Sequence, residues 1–398
     1  MLIGLVGKPS SGKSTFFKAA TLVDVNIASY PFTTINPNRG IGYVKIDCVD
    51  KEFSIKCQPK HGFCIKGNRF VPIEIIDVAG LVRGASEGRG LGNKFLDDLR
   101  QADAFIQIVD VSGTTDSEGR LLIEPTHDPR EDILFLEEEL DKWFFSILMK
   151  AWKNFIKKFE TNYEKNFPKE VAKQFSGLKI NEEHIENILK KNYFPERISS
   201  WNEENLKKFS SYLRRESKPM IIAANKIDLE KGEENYIKLK SSFPKEQIIP
   251  CSADYELALK EASKSSLIEY TPGDKKFEIK GTLNNKQKDA LERIKIIIDK
   301  FGGTGVQTIL NSVVFDILKH IAVFPVSDPN KLSDTKGNIL PDCLLLPNNS
   351  TALDLAYSLH TEFGKNFIRG VDVRTKKTIG KEYKLKNRDI IEIITNTK

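Results

Sequence analysis

Residues 7–14 form the motif G-x-x-x-x-G-K-S, which is typical of a loop that binds phosphate groups. Its glycines let backbone N–H groups turn toward phosphates, Lys13 supplies a positive charge, and the Ser14 hydroxyl can coordinate Mg²⁺. An apolar run, Leu2–Val6, precedes the loop and a helical pattern follows it, which favours a ligand site over a simple glycine-rich turn. We therefore predict that a nucleotide contacts Gly7, Lys8, Pro9, Ser10, Ser11, Gly12, Lys13, Ser14 and Thr15.

A second motif, Asp77-x-x-Gly80, directly follows the apolar residues 73–76. Ligands of open α/β sheets bind at the C-terminal edge of the strands, so a strand ending at Asp77 would deliver its carboxylate beside the phosphate loop. We expect Asp77 to hold Mg²⁺ through water and the Gly80 N–H to sense the γ-phosphate.

A third motif, Asn225-Lys226-Ile227-Asp228, follows the apolar residues 220–224. An Asp228 carboxylate can accept two hydrogen bonds from the ring N1–H and the exocyclic amine of guanine, whereas adenine offers no such pair of donors. We expect Lys226 to lie along the base and Asn225 to tie this loop to the phosphate side. Further along, Ser252 and Ala253 follow another strand pattern, and the Ala253 N–H could donate to the guanine O6. The ligand predicted from these motifs is GTP together with Mg²⁺.

Two long strings identify a family resemblance: SYPFTTINPN at 29–38 and DVAGLVRGASEGRGLGNKFL at 77–96. They resemble the switch segments of translation-factor-class P-loop GTPases, and within these the Obg family, most closely the archaeal-type YchF branch. Residues 338–342, 352–359 and 384–393 resemble a TGS domain, a ubiquitin-like module implicated in RNA or ribosome contacts. The resemblance implies that Thr34 joins Ser14 and Asp77 around Mg²⁺, and that Lys13, Thr34 and Gly80 serve hydrolysis.

Three residues are compared with the pattern of related GTPases: two depart from the family and one is shared with it. Bacterial and eukaryotic YchF-like proteins end the base-reading motif in Glu and often prefer ATP, whereas Asp228 restores the guanine form. Ser10 stands where many Obg relatives have an Asn associated with potassium binding, which leaves potassium activation open. Leu81 stands where Ras-type enzymes place a water-orienting Gln, as in the rest of the family, so slow intrinsic turnover is expected.

The elements that must position these residues alternate between strand and helix patterns, which favours an α/β fold around a mostly parallel sheet. A chain of 398 residues has room for two or three domains. We predict a P-loop GTPase domain in two parts, 1–130 and 219–315, interrupted by a helical, coiled-coil-like insertion or hairpin at 131–218. Residues 316–398 would form the α+β TGS domain, with one helix near 352–363.

The predicted insertion is rich in aromatic residues and its charges nearly cancel. A seam between helices is favoured for these side chains over a platform that stacks nucleic-acid bases. They are Trp143, Phe144, Phe145, Trp152, Phe155 and Phe159.

The five cysteines do not form a dense disulfide framework, which favours a reducing compartment. Four residues, Cys48, Cys57, His61 and Cys64, have spacings compatible with a zinc site, although the first spacing is loose. Ordinary reduced cysteines are the favoured interpretation.

The net charge of +6 decides no partner by itself, but the C-terminal module has an excess of basic residues. Six of these form a candidate phosphate-contacting face: Lys376, Lys377, Lys381, Lys384, Lys386 and Arg388. We predict a monomeric, cytoplasmic GTP-hydrolysing switch that meets ribosomes or RNA through the TGS domain and the helical insertion, with no membrane partner. An ATP-hydrolysing protein and a nucleotide-gated RNA or ribosome adaptor with incidental hydrolysis remain as alternatives.

Overall fold

A seven-stranded sheet forms the centre of the predicted nucleotide-binding part. The computed structural model describes residues 1–22, 38–78, 99–160 and 166–396. The sheet has the order β2-β4-β1-β5-β6-β7, and β3 also pairs with β4. Strands β4, β1, β5, β6 and β7 are parallel, whereas β2 and β3 run antiparallel to β4. The strands are β1 (Leu2–Val6), β2 (Arg39–Asp47), β3 (Phe63–Ile65), β4 (Asn68–Asp77), β5 (Ala104–Asp110), β6 (Met220–Asn225) and β7 (Ile248–Cys251).

The parallel register brings polar residues to one edge of this sheet. Leu5 of β1 pairs with Asp77 of β4, and Asp110 of β5 pairs with Asn225 of β6. Helix α1 (Lys13–Thr21) follows β1 at the same edge. The carboxyl ends of four neighbouring strands therefore converge on the phosphate loop, as expected for an open α/β sheet.

Helices and a small ribbon complete this part of the chain. Its helices are α6 (Gly232–Ser242), α7 (Ala253–Lys264), α8 (Asn285–Phe301) and α9 (Val306–Asn311), and a π-helix follows at Ser312–Ile317. Two short strands, β8 (Ile268–Glu269) and β9 (Glu278–Ile279), pair with each other. The predicted domain boundary at residue 316 falls inside the π-helix.

The described residues of the insertion form one long and three shorter α-helices, whereas a hairpin would have two. They are α2 (Arg130–Glu160), α3 (Phe167–Gln174), α4 (Glu182–Lys191) and α5 (Glu203–Ser217). Each of the shorter helices is preceded by an asparagine whose side chain accepts a hydrogen bond from the backbone N–H three positions further along the chain: Asn166, Asn181 and Asn202. Such caps fix new helix starts, which divide the segment.

Aromatic residues of the insertion are buried between its helices. Trp143, Phe144, Trp152 and Phe155 are all less than a tenth exposed, and the Trp152 ring stacks on that of Trp201 at a centroid distance of 5.8 Å. The same apolar cluster continues onto the central sheet. These rings belong to a helix seam, whereas the side chain of Phe159 lies outside the described residues.

The C-terminal module is a five-stranded sheet in the order β11-β10-β14-β12-β13. Its strands are β10 (His320–Val326), β11 (Leu344–Pro347), β12 (Phe367–Asp372), β13 (Lys377–Ile379) and β14 (Ile390–Thr395). The single helix predicted near 352–363 is wrong, because His360 is extended (φ −164°, ψ 142°) and separates α10 (Ala352–Leu359) from α11 (Thr361–Lys365). In none of the described ranges is a helix both long and apolar enough to cross a membrane.

Candidate nucleotide-binding site

The phosphate loop has glycine at the two positions where a side chain would collide with its surroundings. Gly7 has φ +147°, and a Cβ there would come within 2.5 Å of the Ile108 carbonyl oxygen. Gly12 has φ +96°, and its Cβ would come within 2.3 Å of Asn225 Nδ2. Only glycine allows the loop to follow this path between β5 and β6.

Lys13 is buried at the start of α1 and is held against the loop. Its Nζ donates a hydrogen bond to the Lys8 carbonyl oxygen at 2.7 Å. Burial lowers the pKa of Lys13 to about 8, although the nearby Asp77 carboxylate opposes the shift. A buried ammonium group with one backbone partner is suited to exchange that partner for phosphate oxygens.

Ser14 and Asp77 lie together beside Lys13. The Ser14 hydroxyl donates to Asp77 Oδ2 at 3.0 Å. Burial raises the pKa of Asp77, and the Ser14 hydrogen bond and the Lys13 charge counter this. Asp77 Oδ1 is buried and has no hydrogen-bond partner among the described residues. A hydroxyl beside an unsatisfied carboxylate oxygen fits Mg²⁺, which prefers hard oxygen ligands and retains several waters.

Asn225 connects the phosphate loop to the segment Ser252–Ala253. Its Nδ2 donates to the Ser11 carbonyl oxygen at 2.9 Å, and its Oδ1 accepts from the Ala253 N–H at 3.1 Å. The side chain is 3% exposed, so both bonds are shielded from water. Ser252, also buried, caps α7 by accepting from the Tyr255 N–H at 3.3 Å. The loop ends after β1, β6 and β7 are thus fixed relative to one another by one amide.

Lys226, in the predicted base-reading loop, has a partner that sequence reasoning missed. Its Nζ is 2.6 Å from Asp110 Oδ2, and Asp110 is fully buried at the end of β5. Burial would raise the pKa of Asp110, but hydrogen bonds from Lys226, Ser112 and Thr115 lower it overall. The signal was present, since Asp110 closes an apolar strand as Asp77 does. Asp228 is partly exposed in the same loop.

The Lys8 side chain points away from the phosphate loop into a buried ion pair. Lys8 Nζ lies 2.9 Å from Asp132 Oδ2 and donates to the Thr115 carbonyl oxygen at 2.9 Å. Asp132 Oδ1 lies 2.8 Å from His127 Nε2. Since Asp132 is in the first turn of α2, this pair joins the phosphate loop to the base of the helical insertion.

Some of the remaining predicted residues lie in described segments, and the others do not. Ser10 adopts a left-handed conformation (φ 60°), and the Pro9 carbonyl approaches the backbone at Gly119 closely enough to exclude a side chain there. Thr15 is half-buried in α1. Thr34, Gly80 and Leu81 lie outside the described residues, so their predicted roles stay predictions.

Three family models match consecutive parts of this chain. A 50S ribosome-binding GTPase model matches residues 2–142. A model described as the Obg-like GTPase YGR210-like, G4 motif-containing domain matches residues 223–328, and a TGS domain model matches residues 335–395.

Several known proteins are similar to this chain over its whole length. An uncharacterized GTP-binding protein of Methanocaldococcus jannaschii is 48% identical over 100% of both chains. The ribosome-binding ATPase YchF of Buchnera aphidicola is 29% identical over 99% of this chain and 98% of its own. The crystal structure of a GTP-binding protein from Pyrococcus horikoshii has a TM-score of 0.79 at 37% identity, and covers 99% of this chain and 100% of its own. The chain belongs to the Obg/YchF family of P-loop GTP-binding proteins that carry a C-terminal TGS domain.

Proposed function

We propose that this protein hydrolyses GTP and acts as a nucleotide-dependent switch on ribosomes or RNA. The observation that carries the proposal is the position of Asn225, whose amide joins the phosphate loop at Ser11 to the guanine-side loop at Ala253. A site with its phosphate-binding and base-binding loops already fixed pays less ordering entropy when the nucleotide binds. Asp228, in the same loop as Asn225, is the side chain expected to select guanine.

In the proposed reaction, each described residue has a role defined by its position. Lys13 leaves the Lys8 carbonyl and donates to phosphate oxygens, which offsets their negative charge. Backbone N–H groups of residues 8–14 surround the phosphates. Ser14 and Asp77 would hold Mg²⁺, which supplies charge neutralisation at the β- and γ-phosphates when bound. Leu81 offers no polar group to orient water, so slow hydrolysis without a partner is part of the proposal.

Two features support a nucleic-acid or ribosomal partner. Five lysines of the TGS domain are exposed: Lys376, Lys377, Lys381, Lys384 and Lys386. Phosphate backbones bind such groups through charge, with little need for sequence readout. Relatives along the whole chain include a protein named a ribosome-binding ATPase.

The experiment is co-sedimentation of the full chain with purified ribosomal subunits in the presence of a non-hydrolysable GTP analogue, GDP or no nucleotide. A switch predicts pelleting that depends strongly on which nucleotide is bound. The Lys13→Ala variant is the matched control, because it loses the phosphate contact and should pellet equally under all three conditions. Equal pelleting of the wild type in all three conditions would reject the switch.

The ATP-hydrolysing alternative is tested on the same preparation. Single-turnover hydrolysis is followed with GTP and with ATP at matched concentrations, with and without ribosomal subunits. The proposal expects GTP to be turned over faster and ribosomal subunits to accelerate it. Faster turnover of ATP would assign this chain to the ATPase group instead.

A further inference from the structure

Four side chains between β2 and the end of β3 converge away from the nucleotide site. They are Cys48, Asp50, Cys57 and Cys64, and one ligand atom from each lies within 4.8 Å of all the others. Cys48 and Cys57 are buried, and Cys64 is half-buried in β3. Within the described residues His61, the fourth residue of the spacing pattern, is not part of this set, and Asp50 takes its place.

The sulfur positions match a tetrahedral metal site better than a disulfide. The Sγ atoms of Cys48 and Cys57 are 3.7 Å apart. Ligands at a Zn–S distance of 2.3 Å in a tetrahedron are separated by about 3.8 Å, whereas disulfide sulfurs lie about 2.0 Å apart. Cys64 Sγ is 3.8 Å from Asp50 Oδ2, close to the separation of about 3.5 Å expected between a zinc-bound sulfur and oxygen.

Asp50 supplies an independent indication that a cation belongs here. The residue is 6% exposed, and its Oδ1 is buried without a hydrogen-bond partner among the described residues. Asp50 Oδ2 accepts a long hydrogen bond from the Cys57 N–H at 3.5 Å, but the buried Oδ1 is costly unless a cation or a donor satisfies it. Arg69, which is fully buried and pairs across the strands with Cys64, supplies positive charge beside a site that has more anionic ligands than a divalent ion can neutralise.

We propose that Cys48, Cys57, Cys64 and Asp50 bind one zinc ion. Thiolates select a soft or borderline metal, and four protein ligands complete a closed tetrahedral site of the structural type. The ion is structural because the site lies away from the phosphate loop and leaves no position for substrate.

The segment between the ligands Cys48 and Cys64 also contacts the TGS domain. Gln58 and Lys60, between the ligands Cys57 and Cys64, donate backbone hydrogen bonds to the carbonyls of Ile339 and Pro341 at 2.8 and 2.9 Å. Two residues beside the cluster make further contacts. Arg69 donates to the Leu340 and Pro341 carbonyls at 3.0 and 2.7 Å, and Glu52 pairs with Arg374 at 2.9 Å and with Arg388. Zinc therefore fixes the loop on which the TGS domain is seated.

Elemental analysis of the full chain, purified from zinc-supplemented cells without chelators or a metal-affinity tag, tests the assignment. The expected content is one zinc per chain. Replacement by Co²⁺ should give the intense visible absorption of a tetrahedral ion with a sulfur-to-metal band in the near ultraviolet. A metal-free chain with three reactive thiols here, a Cys48–Cys57 disulfide, or iron in place of zinc would overturn the proposal.

Variants distinguish a ligand set that contains Asp50, as the structure places it, from one that contains His61, as the sequence spacing suggests. Cys57→Ser should lose the ion, and Asp50→Asn should weaken its binding by at least about tenfold, since even outer-shell changes have effects of that size. His61→Asn should retain full zinc content. Cys343→Ser is the matched control, because that thiol packs against the same core but is not in the set. Zinc loss in His61→Asn with retention in Asp50→Asn would overturn the ligand set.

Hydrogen exchange on the wild-type chain tests the structural role of the zinc ion even if a cysteine variant does not fold. Chelation of zinc from the wild-type chain should accelerate exchange of the Gln58 and Lys60 amides by at least about tenfold, because their partners lie on the TGS domain. Amides of β5 in the central sheet provide the internal reference and should change little. Unchanged exchange at Gln58 and Lys60 after complete zinc removal would overturn the proposal that zinc fixes the loop that contacts the TGS domain.

Discussion

Replacing Lys8 by methionine tests the link between the phosphate loop and the helical insertion. The Lys8 side chain is 1% exposed and that of Asp132 is 6% exposed, so removal of the ammonium leaves a buried carboxylate. Removing one partner of a buried ion pair costs about 3–5 kcal/mol. The remaining His127 contact and the N-terminal end of α2 stabilise Asp132 by up to about 1 kcal/mol, which leaves a predicted loss of about 2–4 kcal/mol. That loss corresponds to about a 30- to 1000-fold change in the unfolding equilibrium constant.

Urea unfolding followed by tryptophan fluorescence is a suitable assay, because all three tryptophans, Trp143, Trp152 and Trp201, lie in the insertion. Lys18→Met is the matched control: this lysine is exposed on α1, and the variant should stay within about 0.5 kcal/mol of wild type.

The double variant Lys8→Met/Asp132→Leu separates the charge from the packing. Because it removes both buried charges, it should recover at least half of the loss seen in Lys8→Met. A Lys8→Met variant as stable as the Lys18→Met control would refute the reasoning. So would a double variant that is less stable than Lys8→Met.

Three further predictions concern the nucleotide and its partner. Lys13 has a pKa of about 8 in the free protein, and phosphates hold it protonated in the complex, so binding at pH 8 should take up about half a proton and affinity should fall as the pH rises further. Calorimetry in buffers of different ionisation enthalpy measures this uptake. Lys218→Met is the control, because Lys218 has a similarly lowered pKa but contacts backbone carbonyls. The Lys218→Met variant should therefore take up as many protons on nucleotide binding as the wild type. Asp228→Asn should weaken GTP binding by about 10- to 100-fold and improve binding of xanthosine triphosphate, whose 2-oxo group accepts from the new amide; loss of both nucleotides would contradict the base-reading role. Lys376→Glu/Lys377→Glu should reduce ribosome pelleting and its salt dependence while GTP affinity stays unchanged, and undiminished pelleting would remove the TGS lysines from the contact.

Local patterns in the sequence were sufficient to predict where most of the described candidate residues lie in the fold. The phosphate loop and the Asn225 motif each follow an apolar run that forms a parallel strand, so their positions at one sheet edge follow from strand direction alone. A family model and relatives along the whole chain support the same fold.

Neither ion pair beside the site was predicted from the sequence. Lys226 meets Asp110, 116 positions away, because the ends of the paired strands β5 and β6 are adjacent. Lys8 meets an aspartate at the start of the insertion, and this contact depends on how the insertion packs on the sheet, which no spacing rule encodes. The motif pattern placed Lys8 among the residues that contact the nucleotide, and the structure shows that its side chain pairs with Asp132, so any such contact falls to its backbone.

The cysteine segment illustrates a different limit. Ligand spacing rules favoured His61, because cysteine and histidine dominate known zinc patterns. The short 3-10 helix Val49–Phe53 turns Asp50 toward the thiols instead, and a single turn of this kind has no distinctive sequence signal.

Competition binding tests the central claim most directly. The full chain is loaded with a fluorescent GDP analogue in the presence of Mg²⁺, and the concentrations of GTP and ATP that displace it are compared. A site that pairs Asp228 with guanine predicts displacement by GTP at concentrations at least about a hundredfold lower than by ATP. Displacement by both nucleotides at the same concentration would contradict the account.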